Sequence, residues 1–149
     1  FMDAHIGATV TLADIAASAN VCPRECQRIF GRYLHERPMA YMQRLRVFRA
    51  AQMLAEKTAH FAKEMGVTYG RITIREQKTR WGSCSSAGNL NYNWKLVLMP
   101  EHVMDYVVIH ELAHRKEMNH SARFYAVVAQ QMPDYKVWQS WLKEHGREY

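Results

Sequence analysis

The five residues His110-Glu-Leu-Ala-His114 constrain this chain more than any other stretch of it. Residues four apart on a helix project from one face, so the two imidazoles can reach a single ion. Glu111 is placed beside them, where a carboxylate can take a proton from metal-bound water. Val107, Val108 and Ile109 come just before and would bury the helix that carries the motif. A fold built around this pattern has to seat an apolar helix, bring a third donor to its histidine face and leave one position open.

Two residues compete for the third place. His120 is the better ligand: it lies six residues after His114 and just before Ser121, which can cap a new helix and turn the chain back towards the ion. Glu117 is the alternative. The spacing from His114 to His120 matches that of metzincins, but Glu117 stands where those enzymes use a turn glycine, so the chain is not placed among them. One zinc ion is the expected cofactor, because neutral imidazole suits it. Zinc lowers the pKa of a bound water from about 16 towards about 7 and polarises a scissile carbonyl. Glu111 would act as general base and then pass the proton to the leaving amine. Arg80, Lys116 and Tyr125 are candidates to stabilise the oxyanion. His5, His35, His60, His102 and His145 show no ligand spacing and are expected at the surface.

The pattern along the chain changes near residue 57. Before it, almost everything reads as helix. Thr11-Leu-Ala-Asp14 is a capping-box-like start, followed by Leu12, Ile15, Ala16 and Ala19 on one face. Pro23 opens a second helix with Ile29, Phe30, Tyr33 and Leu34 at core spacings; Pro38 opens a third with Tyr41, Leu45, Phe48 and Met53 inward. That helix continues to Met65, with Gly66 as its stop. Then Val67 to Arg75 alternates, with Ile72 and Ile74 on one face, as a strand does. After the turn signal Ala87-Gly88-Asn89, residues Leu90, Tyr92, Trp94, Leu96 and Leu98 follow at period two, with Asn91, Asn93 and Lys95 on a wet face. Helical spacing returns after Pro100, again after Ser121 through Phe124, Val127 and Val128, and finally after Pro133 with Trp138, Trp141 and Leu142. No internal repeat or flexible linker separates the parts, so a shared helix joins them rigidly.

Composition adds limits. The formal net charge is +6, from 20 basic and 14 acidic residues. That excess is too modest to establish nucleic-acid binding alone. Cys22, Cys26 and Cys84 form no zinc-ribbon or disulfide framework and fit a reducing compartment. Of Cys22 and Cys26, one turn apart, one is expected to be a buried small residue and the other a surface thiol. No apolar run can span a bilayer, and the first residues lack a basic-then-apolar leader, which predicts a cytoplasmic protein with no membrane partner.

Several separated stretches share a family likeness. Gln77-Lys-Thr-Arg-Trp-Gly-Ser-Cys-Ser85, Gly88-Asn-Leu-Asn-Tyr-Asn-Trp94, Asp105-Tyr-Val-Val-Ile-His-Glu-Leu-Ala-His114 and Asn119-His120-Ser121 resemble the YgjP-like metallopeptidases, relatives of the SprT-like proteases. The resemblance runs over residues 58–149. It implies a zincin-like domain with a small antiparallel or mixed sheet packed on the H-E-x-x-H helix. It also implies zinc held by His110, His114 and His120, catalysis by Glu111, and a peptide or protein substrate. The segment from Lys78 to Cys84 reads either as a strand lining the substrate or as core, with Gly82 a bulge; core is favoured for Cys84.

Within a front domain of residues 1–57, residues 1–54 carry a second likeness. Thr11-Leu-Ala-Asp-Ile-Ala-Ala-Ser-Ala-Asn-Val21, Gln27-Arg-Ile-Phe30, Pro38-Met-Ala-Tyr41 and Arg44-Leu-Arg46 resemble the first helix-turn-helix of AraC-type transcription regulators. That implies base contacts from Arg24, Glu25, Gln27 and Arg28, and phosphate contacts from Arg32, Arg44 and Arg46, with DNA as a further partner. The family's second helix-turn-helix unit is absent, Cys22 replaces its usual cap, and His35 stands where it often has glycine. The expected whole is an α+β chain, an all-α module joined by a long helix to a zinc peptidase-like domain. The expected activity is metal-assisted hydrolysis of peptide bonds. The competing reading is a DNA-binding regulator whose second half keeps zinc only for structure.

Overall fold

Three helices lead the chain in the computed structural model, which describes residues 1–149. α1 (Leu12–Ser18) starts at a complete capping box: Asp14 N donates to Thr11 Oγ1 at 3.3 Å, and Thr11 N donates back to Asp14 Oδ2 at 2.8 Å. α2 (Pro23–Leu34) has its proline in the first turn and ends at His35, whose φ of 55° explains why glycine would be at ease there. α3 (Pro38–Met65) runs 28 residues to Gly66, whose positive φ of 63° lets its N–H close on Ala62 and Lys63.

α3 belongs to both ends of the molecule. Met42 packs with Val10, Ile15, Ala16 and Cys26 in a cluster of five buried residues. Ala50, Leu54, Ala62 and Met65 enter a second cluster of 22. Phe48 was expected inside but is 63% exposed; the buried stripe instead follows Met42, Ala50, Leu54, Thr58 and Ala62. The helix carries apolar residues on several faces, so spacing alone does not select the inward one. Small side chains do select it, because Ala50, Thr58 and Ala62 let the neighbouring helix approach closely. The same correction applies to α2, where Tyr33 and Leu34 are exposed and Cys26 takes the buried place, while Cys22 is exposed.

β1 (Ile72–Arg75), β2 (Gly82–Cys84) and β3 (Leu90–Asn93) form a mixed sheet ordered β1-β3-β2, with β1 parallel and β2 antiparallel to β3. The hairpin turn holds Gly88 at φ 83°, where a Cβ would come within 2.8 Å of Arg115 Cζ. Arg115 itself donates to Thr68 O and Ser86 O, tying the sheet's loops to the helix behind it. β3 is shorter than the alternation suggested. Trp94–Leu98 coils into a 3-10 turn that buries Trp94, Leu96 and Val97, so period two ends at Asn93. Asn93 is not on a wet face either: it is 1% exposed, and its side chain donates to Gln77 O and accepts from Lys95 N. A buried amide needs such partners, and these pin the loop ahead of β2.

α4 (Glu101–Ala113) is apolar nearly all round and lies against α3, β2, α5 (Ala122–Gln131) and α6 (Tyr135–His145). A helix of that kind is stable only when sheathed. Lys57 of α3 fastens its first turn, 2.7 Å from Glu101 and 2.6 Å from Asp105. No helix is long and apolar enough to cross a membrane.

Candidate metal centre

The C-terminal end of α4 presents Tyr106, His110 and His114 four residues apart, with His114 at the helix cap. After a short loop, Ser121 caps α5 by accepting from Phe124 N at 3.3 Å, and that cap delivers His120 to the same spot. One ring nitrogen from each of His110, His114 and His120 lies within 4.8 Å of the others. Glu117, the alternative ligand, does not join them. Beneath the cluster sits Phe124, fully buried, with its ring centroid 4.8, 4.6 and 4.8 Å from the three imidazoles in that order. An apolar floor of this kind keeps water from one side of the rings.

The donors fit a divalent ion. His110 Nε2 and His120 Nε2 stand 3.0 Å apart. Two nitrogens bound at about 2.0–2.1 Å to one tetrahedral zinc would be separated by about 3.3 Å, so a small movement accommodates it. Burial, then the neighbouring His114 and His120, pushes the His110 pKa down to about 4. Burial also lowers His114. Both rings are thereby neutral, the form that coordinates metal. Buried His114 Nδ1 has no partner of full hydrogen-bond geometry, although the backbone of Glu117 and Met118 beside it favours the protonated ring. Tyr106 Oη lies 3.4 Å from His110 Nδ1, positioned to orient the ring from behind.

Glu111 is 6% exposed and turned towards the sheet. Burial raises its carboxyl to about 8, with Arg80 pulling the other way. A nearby dication would favour the charged form instead. Its seat depends on Gly82: a Cβ there would lie 2.7 Å from Glu111 Oε1 and 2.8 Å from Cγ. Gly82 is therefore not a bulge but a ladder residue opposite Tyr92, bare so that the carboxylate can lie against the backbone. Nothing local in the sequence pairs Gly82 with Glu111, whereas Tyr106 was detectable, four residues before His110 on the same face.

β2 is an edge strand. Asn93 N donates to Trp81 O and Ser85 N donates to Asn89 O, so the antiparallel alternation turns the N–H and C=O of Gly82 and Cys84 to the open side. Cys84 is half-buried and packs against the margin of the large core. A cavity of about 240 Å³ opens beside His110 and Glu111, walled by Arg80, Trp81, Gly82 and Tyr106. Of the suggested oxyanion partners, Arg80 lines this cavity, Tyr125 lies with its ring 6.3 Å from His120, and Lys116 lies in a separate hollow with Gly66 and Arg115.

The residues suggested for DNA are scattered in role. Arg28 is paired with Glu25 at 2.6 Å and Arg44 with Glu36 at 2.7 Å. Arg46 donates to Ile6 O and Ala8 O, so its guanidinium anchors the N-terminal segment instead of facing solvent. Arg32 lies over Tyr33, 5.5 Å from the ring centre, while Arg24 and Gln27 are exposed.

A family model for the YgjP-like metallopeptidase domain matches residues 25–145. Among solved structures, the metallopeptidase zymogen abylysin of Pyrococcus abyssi is similar with a TM-score of 0.55 and 23% identity, over 61% of this chain and 93% of that one. The zymogen jannalysin of Methanocaldococcus jannaschii is similar with a TM-score of 0.54 and 20% identity, over 64% of this chain and 97% of that one. These likenesses establish a shared fold. The HTH-type transcriptional regulator GbdR, from two strains of Pseudomonas aeruginosa, is 36% identical over 55 residues, or 37% of this chain. The chain spans only 15% of that regulator's length.

Proposed function

Because the chain belongs to the YgjP-like metallopeptidase domain family, we propose that it hydrolyses peptide bonds at one zinc ion held by His110, His114 and His120, with Glu111 as the general base. The carrying observation is the convergence of three imidazoles over Phe124, with Glu111 on the same helix beside an open strand edge. An ion bound there would acidify a water and polarise the carbonyl to be cleaved. Glu111 takes up a proton at its carboxylate and returns it to the leaving amine, a transfer favoured by a carboxyl whose surroundings can hold either form. Tyr106 orients His110, and Phe124 shields the rings. The free N–H and C=O groups of Gly82 and Cys84 hold an extended peptide across the site by strand addition. Arg80 is the best placed of the suggested oxyanion partners.

Metal analysis by mass spectrometry tests the site first. The parent chain should carry about one zinc per molecule and a His110→Ala, His114→Ala variant essentially none. Glu111→Gln should keep metal and fold while peptide hydrolysis falls by about 10²–10⁴-fold; undiminished turnover would remove the general-base assignment. Gly82→Ala should displace the carboxylate without touching the ligands, lowering turnover by about tenfold or more at unchanged metal content.

The division into residues 1–57 and 58–149 is part of the same proposal. Packing would draw the line earlier, between Met42 and Ala50, where α3 leaves the small cluster for the large one. A second reading, a DNA-binding regulator with structural zinc, is favoured by the 55-residue likeness to part of a helix-turn-helix regulator. DNA contact would fall to Arg24, Gln27 and Arg32, the cations and amide that are not spent on ion pairs. If an Arg24→Ala, Gln27→Ala variant binds DNA as the parent does, that groove assignment is wrong.

A further inference from the structure

We propose that a basic cleft next to the metal centre selects peptides that carry carboxylates just C-terminal to the cleaved bond; this rests on the peptidase reading above. The cleft has a volume of about 670 Å³ and is lined by Lys78, Arg80, Lys95, Lys143 and Arg147, against a single acidic side chain, Glu76. Glu76 is taken by Lys95 at 3.0 Å, and the other four cations are engaged in no salt bridge. Those four come from three places: the loop before β2, the last turn of α6, and the 3-10 turn that follows it. A concave surface of one sign, walled by protein, concentrates counter-charge far better than scattered surface lysines do.

Position relates this cleft to the chemistry. It shares Thr79, Arg80, Trp81 and Leu142 with the cavity beside His110 and Glu111, so the two spaces adjoin along the segment that leads into β2. A peptide pairing antiparallel to β2 runs from Cys84 towards Gly82, where Glu111 lies, and then towards Trp81 and Thr79. Residues before the cleaved bond therefore pair with the strand, and residues after it enter the cleft. Arginine and lysine there would meet aspartate or glutamate side chains, or a free chain end. Single-stranded nucleic acid is the less favoured occupant, because stacking needs open aromatic faces and the cleft has only two rings: exposed Tyr149 leans on Trp141 with ring centres 6.2 Å apart. Trp81 is backed by the last turn, where a Cβ on Gly146 would come within 3.2 Å of its Nε1.

The test uses the full, zinc-loaded Glu111→Gln chain and fluorescence anisotropy with matched peptides. One carries Asp and Glu at the first three positions after the bond, another Asn and Gln, each with a free or an amidated end. The acidic peptide should bind about tenfold more tightly than its amide counterpart. That advantage should vanish or reverse in a Lys143→Glu, Arg147→Glu variant and shrink as salt rises. Cleavage by the parent chain should follow the same order in kcat/KM. Either source of carboxylate supports the proposal, and the amidated arm tells side chain from chain end. Equal binding of all four peptides overturns it, as does an advantage of either carboxylate that survives charge reversal. Tighter binding of a single-stranded oligonucleotide of matched charge, lost in the variant, also overturns it. Failure of the parent chain to cleave any of the peptides sinks the peptidase reading while leaving the binding comparison valid; cleavage of all at one rate sinks the selectivity alone.

Discussion

The two ends of α3 are stabilised in different ways. Its first turns join a cluster of five buried residues, and α2 and the first half of α3 leave Tyr33, Leu34, Met39 and Phe48 exposed. Its last turns join a cluster of 22 that also buries Thr58, Asn93 and Glu111. Thr58 and Tyr92 bond to each other, and Asn93 to the backbone around it. A small core with exposed apolar rims leaves a region near the low end of the stability range; a large core with matched polar groups can hold a carboxylate and imidazoles in costly surroundings. The candidate site lies wholly in the second kind of region. Local opening of α1, α2 and the first turns of α3 should therefore leave the metal centre standing.

Truncating the floor of the site should have the largest effect on stability. Phe124→Ala removes a fully buried ring in contact with all three imidazoles. It should cost about 3–5 kcal/mol and weaken metal binding as well, because the rings lose the surface that holds them apart from water. Denaturation followed with and without zinc measures both. A cost below about 1 kcal/mol would mean that the site can collapse around the gap, and the contrast between the ends would be blunted.

Met42→Ala probes the other end. Met42 is fully buried among Val10, Ile15, Ala16 and Cys26, and its loss should cost about 2–3 kcal/mol. Hydrogen exchange should show that cost in the amides of α1 and α2 while those of α4 keep their protection. Equal loss of protection in α4 would make the chain one cooperative unit, with α3 transmitting the damage.

The same contrast explains what the sequence disclosed. His110, Glu111 and His114 were legible because helix geometry alone brings residues four apart together, and His120 because a capping serine follows it. Thr11, Pro23, Pro38 and Gly66 were legible as helix ends, since caps act within one turn. What escaped was decided by tertiary contact. The period-two run from Leu90 to Leu98 fits a strand and a buried 3-10 turn equally well until the sheet's neighbours are known. Phe48 and Ala50 exchange places once α4 is seen to need close approach. Gly82 serves Glu111 across 29 positions of sequence, and no spacing rule links them. Arg46 looked like a phosphate ligand because nothing nearby announces the carbonyls of Ile6 and Ala8 that it satisfies.

The smallest effect is expected at the capping box, and it sharpens the contrast most selectively. Thr11→Ala deletes the acceptor for Asp14 N and should cost about 1 kcal/mol. The hydrogen bonds from Thr11 also hold the Asp14 carboxyl below its ordinary value. A lowered pKa means the folded state prefers the charged carboxylate, so this contribution is present above the ordinary aspartate value and is lost as pH falls from there through the lowered value of the folded state. In the parent chain, protection of α1 should therefore decline in acid before that of α4. In Thr11→Ala that acid-sensitive step should be reduced, since the neutral and charged carboxyl then differ less in partners. A step of unchanged size would place the sensitive group elsewhere in the small cluster. Loss of protection in α4 at the same pH would show that even the weakest helix reports on the whole molecule.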